Sequence, residues 1–147
     1  MKFLIYFFAI PLMYISTSLY AQEKGDNLIV IETNRSPEEN FSMFGKHLVS
    51  QGYSFESKDV EFLSLVTNIK ECRGGGGVYN YKMNISFSDN LIKIRVTFLA
   101  SHLDPRIQPT WIAWTYTNYK GTAHTHILND FDPKLRQYRY KLIYSKE

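Results

Sequence analysis

The chain reads as an α+β protein, a curved antiparallel sheet with an N-terminal and a C-terminal helix on one face, in the order β-α-β-β-β-β-α. Three observations carry that expectation. Ser36-Pro37-Glu38-Glu39 opens a helix, residues 78–88 and 91–99 alternate as a hairpin around Asp89-Asn90, and Asp132-Pro133 repeats a helix start near the end. Helices gathered on one side of antiparallel strands are among the few arrangements that bury the apolar faces of all these elements.

Taken in order, residues 1–21 come first and read as an export signal. Lys2 supplies a positive start, Phe3 to Ile15 is apolar except for Pro11, and a small, more polar end closes on Ala21 before Gln22. That pattern is a signal peptide. Its apolar run falls short of the roughly 20 residues that a spanning helix needs. Cleavage therefore outweighs a retained anchor, and the mature chain, with no stable membrane span, is expected in the periplasm or outside the cell. Residues 22–147 are the right size for a single α+β domain. The formal charge is +3, of which Lys2 contributes one. So slight an excess argues against nucleic acid as a partner. Cys72 is the only cysteine, which excludes an internal disulfide and leaves a partly buried thiol or a pairing between chains. Oligomeric state is not set by these features.

Residues 28–33, Leu-Ile-Val-Ile-Glu-Thr, read as a buried strand. Ser36 then caps a helix, Pro37 suits its first position, and Glu39 reaches back to complete a capping box. Phe41, Phe44 and Leu48 recur on one face, and Gly52 ends the helix. Residues 53–57 and 60–68 read as extended, either one bent strand or two short ones around Lys58-Asp59, and residues 71–77 as a loop whose four consecutive glycines make it the most mobile internal segment. The hairpin of residues 78–99 follows. Residues 101–109 carry two prolines and read as a surface loop, residues 111–119 as a further strand, and residues 133–145 as a closing helix with Leu135, Tyr138 and Leu142 on one face. The expected core is Ile29, Ile31, Phe41, Phe44, Leu48, Ile85, Phe87, Ile94, Val96 and Leu142.

A strand ending in Leu28-Ile29-Val30-Ile31, a capped helix, a Gly52-Tyr53 restart and a hairpin at Asp89-Asn90 resemble small exported bacterial domains of unknown function with a TBP-like fold. The resemblance covers about residues 27–99, with the last helix matched by order alone. It implies a curved antiparallel sheet with helices on one side. It implies no activity, because fold alone does not carry chemistry.

Candidate chemistry is sparse, and no catalytic residue is singled out. If residues 124–126 are extended, His124 and His126 share a face and can bind one metal. His102 or Asp104 would supply a third ligand. HxH arises often by chance, so surface histidines outweigh a metal site. Cys72-Arg73-Gly74-Gly75-Gly76-Gly77 lacks the Lys-Ser/Thr ending of a P-loop and precedes no helix pattern, which leaves a flexible connection, with a mobile binding loop at Cys72, Arg73 and Gly75 as the alternative. Trp111, Trp114 and Tyr116 are candidates for a ligand groove, although alternation places the two tryptophans on opposite faces. Arg136, Arg139, Lys141 and Lys146 among Tyr138, Tyr140 and Tyr144 form a basic, aromatic helix face, for which solvent is the simpler partner. The reading is a non-enzymatic binding or interaction module of the cell envelope, without a cofactor, that takes an envelope protein or a small ligand. A metal-binding protein or metal-dependent hydrolase built on His124 and His126 is the alternative.

Overall fold

The computed structural model describes residues 22–100, 108–117 and 119–146. The leader, residues 1–21, lies outside them, as do His102 and Asp104 with most of the proline-containing loop. Strand β1 (Leu28–Glu32) points Ile29 and Ile31 inward. Helix α1 (Pro37–Ser50) starts as its sequence dictates: Ser36 Oγ accepts the Glu39 N–H at 3.3 Å, and the Glu39 carboxylate accepts the Ser36 N–H at 3.2 Å. Phe44 and Leu48 are fully buried on its inner face, and Gly52 reverses the chain at φ +81°. Strands β2 (Phe55–Asp59) and β3 (Ser64–Thr67) form a hairpin. The extended run expected over residues 60–68 is thus broken at its start. Its turn is held by the Phe62 N–H donating to the Asp59 carboxylate at 2.9 Å.

The glycine run corrects the expected loop. Strand β4 (Lys70–Gly74) pairs with β5 (Gly77–Ser88), and only Gly75 and Gly76 lie between them. Their φ values of +59° and +82° suit the type I′ turn, which needs positive φ at both central residues. The segment is a β-hairpin. Strand β6 (Leu91–Ala100) returns along β5 after a turn in which Asn90 has φ +57°. Of the strand expected over residues 111–119, the described residues pair only in β7 (Thr110–Ala113), against the end of β6. Beyond it Trp114 turns into the core at 1% exposure, and its indole N–H donates to the His124 carbonyl at 2.8 Å.

The carboxyl-terminal region differs most from expectation. Helix α2 spans Ala123–Arg136, capped by Thr122, whose hydroxyl accepts the Thr125 N–H at 3.3 Å. Asp132-Pro133 is therefore no helix start; Pro133 lies inside the last turns of α2. Proline there leaves the Asn129 carbonyl without its helical donor, and Asn129 is exposed, so water can take that place. Ile127, Phe131 and Leu135 form the buried stripe at four-residue spacing. Residues 141–145 are strand β8 (Lys141–Ser145), paired with β1 from Leu28↔Ser145 to Glu32↔Lys141. Leu142 and Tyr144 face inward by strand alternation rather than by helical period, with Leu142 and Phe41 at the margin of the core. The basic, aromatic helix face does not form: Arg136 pairs with Asp132 at 2.7 Å, Lys141 with Glu32 at 3.0 Å, and Arg139 sits in a turn at φ +62°.

The eight described strands make one antiparallel sheet in the order β2-β3-β5-β6-β1-β8, with β4 beside the first half of β5 and β7 beside the second half of β6. Tyr81, Met83, Ile85 and Phe87 of β5 and Ile92, Ile94, Val96 and Phe98 of β6 point to one face. Both helices pack there. Phe44 of α1 meets Phe87 edge-on at 6.2 Å, and Phe131 of α2 meets Tyr81 at 6.3 Å. The opposite face carries Lys82, Asn84, Lys93 and Thr97 by the same alternation.

Candidate ligand-binding cleft

Helix α1 lies over β5 and β6, so its flank does not close on the β2–β3 hairpin at the edge of the sheet. Between them is a cleft of about 270 Å³. Phe41, Gly45 and Val49 supply one wall, at the four-residue spacing that stacks side chains on one helix face. Phe55 and Leu65 supply the other wall and the floor, and Ser42, Lys46 and Lys58 complete the lining. Its size is just under the roughly 300 Å³ at which ligand pockets begin.

Gly45 decides how deep the cleft is. A glycine inside a helix costs roughly 1 kcal/mol relative to alanine. Nothing steric requires it, because a Cβ here would meet Leu65 Cδ1 at 3.6 Å, an ordinary contact. The missing methyl leaves the floor open down to Leu65. Val49 is 54% exposed although it is apolar, because the hairpin stands away from it. Lys46 and Lys58 form no ion pair with a described residue, and the Lys58 ammonium lies 4.8 Å from the Phe55 ring centre. A second hollow of about 240 Å³ lies along Ser64, Val66, Asn84, Ser86 and Arg95.

Most of the residues singled out from sequence serve the seam between α2 and the sheet. His124 and His126 belong to a helix, where a two-residue step turns about 200°, so the shared face expected of an extended segment does not arise. His124 Nδ1 lies 2.9 Å from the Thr115 carbonyl, and its ring meets Phe98. His126 instead stacks on Tyr79 at 5.5 Å and lies on the backbone of Gly74 and Gly75. No group of three or more metal-ligating side chains is assembled among the described residues. Trp111, Trp114 and Tyr116 share no surface either. Trp111 lies on the open sheet face under Lys82 at 5.1 Å, Trp114 is core, and Tyr116 packs on Tyr144 at 6.5 Å. Cys72 is buried under α2, Arg73 points outward to Glu71 at 3.0 Å, and Gly75 is a turn residue.

A buried polar chain also crosses this seam. Tyr81 Oη donates to Asp130 at 2.5 Å, which leaves it to accept from Tyr53 Oη at 2.6 Å. The Lys134 ammonium donates to the other Asp130 oxygen at 2.7 Å. Burial raises both phenols well above the usual tyrosine range; nearby Asp130 adds to this, and at Tyr53 the hydrogen bond to Tyr81 opposes it. Burial likewise pushes the Cys72 thiol up to about 11, with Asp130 adding to the shift. At neutral pH these groups hold their protons, and a protonated thiol is a poor nucleophile. They tie α2 to the sheet.

The cleft itself was missed by the sequence reading, which followed Phe41, Phe44 and Leu48 into the core. Its one local signal is the adjacent stripe Phe41-Gly45-Val49, with glycine in mid-helix. Comparison with protein-family models finds no match to this chain, and neither do comparisons with curated proteins and with solved structures.

Proposed function

We propose that this chain is an exported, non-enzymatic binding module of the bacterial cell envelope, and that it takes a small apolar ligand in the cleft between α1 and the β2–β3 hairpin. The observation that carries the reading is Gly45, which forgoes helix stability and leaves the floor of the cleft open to Leu65. The leader of residues 1–21 supports export. A TBP-like description of the domain goes with the reading, supported by two helices on one face of an antiparallel sheet.

The test is an uncharged apolar dye, Nile red, titrated into the mature protein. Gly45→Leu and Val49→Trp fill the cleft from its helix wall. Both are expected to abolish the dye's fluorescence gain while the melting temperature stays within a few degrees of the parent. Undiminished dye binding in both folded variants would place the ligand elsewhere.

A further inference from the structure

Resting on that assignment of the cleft, we infer that its ligand is a free, single-chain amphipathic anion, of the size of a medium-chain carboxylate, with its tail on Leu65 and its head between Lys46 and Lys58. The charge distribution carries this. Every charged side chain lining the cleft is a lysine: Lys46 on the helix wall and Lys58 on the hairpin wall. The rest of the lining is apolar apart from the Ser42 hydroxyl.

Neither ammonium is neutralised by a described carboxylate. The nearest acid in sequence, Asp59, is engaged by the Phe62 N–H at the hairpin turn. The Lys58 ammonium itself lies 4.8 Å from the Phe55 ring centre, which places one cation against the apolar wall that a ligand tail would line. An apolar cavity with cations in its lining and no anion matches a ligand with one apolar end and one negative end. The volume sets the tail. About 270 Å³ holds roughly nine water-sized groups at ~30 Å³ each, close to octanoate with its ~10 non-hydrogen atoms.

The experiment is isothermal titration of the mature protein with octanoate, 1-octanol and octyltrimethylammonium at 0.15 M salt. It is repeated with Lys46→Gln, Lys58→Gln and the double variant, both surface changes that leave the core intact. Octanoate is expected to bind about tenfold tighter than octanol, equal to about 1.4 kcal/mol, and the cation weakest of the three. Each single variant should lose about threefold for octanoate and nothing for octanol, and the double variant should lose the preference. Raising salt to 0.5 M should shrink it too, because exposed charges are screened. Equal binding of octanoate and octanol would overturn the anion while leaving the cleft assignment standing. Binding of neither, with Nile red also excluded, would overturn both. A preference that survives the double variant would show that the head lies elsewhere. Sedimentation with phosphatidylglycerol vesicles, with no saturable octanoate binding, would replace the free ligand by a membrane surface and overturn the proposal.

Discussion

Gly45→Ala separates stability from binding at a single methyl group. The backbone there is ordinary helix, and the added Cβ meets Leu65 at a comfortable 3.6 Å. Stability should therefore rise by about 0.5–1 kcal/mol in urea unfolding, through helix propensity and a less flexible unfolded chain. Dye and octanoate affinity should fall, because the methyl occupies the floor of the cleft. A variant that gains stability and keeps full affinity would show that the floor is not used. Gly74 behaves in the opposite way. A Cβ on it would come within 2.1 Å of His126 Nδ1, so the imidazole and this glycine require each other.

That mutual requirement becomes a test of the β4–β5 hairpin and its contact with α2. Gly74→Ala should cost about 1–3 kcal/mol by overpacking. In a His126→Ala background the same change should cost much less, a coupling read from a double-mutant cycle. Equal costs in both backgrounds would mean that the hairpin does not carry His126. The elements written in their own residues were legible from sequence: the capping box of α1, the alternation of β5 and β6, and the Asp89-Asn90 turn all use local chemistry. The glycine run was misread as a loop because a loop and a tight turn that demands positive φ have the same composition. The carboxyl-terminal region was misread because Asp132-Pro133 imitates a cap, and because Leu142 and Tyr144 fit either period until pairing with β1 selects the strand. The cleft was legible only as Gly45. Its second wall exists because β3 pairs with β5, a contact between residues about 20 apart (Leu65↔Ile85) that no local pattern announces.

At the scale of the whole molecule, the seam under α2 sets how the protein responds to alkali. Cys72, Tyr53, Tyr81 and Tyr144 are all acids whose folded pKa is raised, with burial the largest cause. A raised acid contributes its full stability below its unfolded pKa, near 8.5 for a thiol and 10 for a phenol. That contribution is lost as pH climbs toward the folded value, about 11 for Cys72, because the unfolded chain releases the proton first. Unfolding free energy should therefore decline from about pH 8.5 upward, measured by urea titration at fixed pH. Cys72→Ala should remove the part of the slope that begins below pH 10. An unchanged slope in that variant would exclude the thiol as its origin.

Strand β1 lies between β6 and β8, so one of its hydrogen-bonding edges is satisfied by residues 91–94 and the other only by residues 141–145. A ribosome delivers the first long before the second. Until residues 141–145 are free, Ile29 and Ile31 belong to a strand with an open side, and the sheet does not close there. Contacts between residues so far apart in sequence are slow to form, so the pairing of β1 with β8 is expected late in folding. On the export proposed for this chain, strand order would act as a timer: the chain stays threadable until residues 141–145 arrive to lock β1.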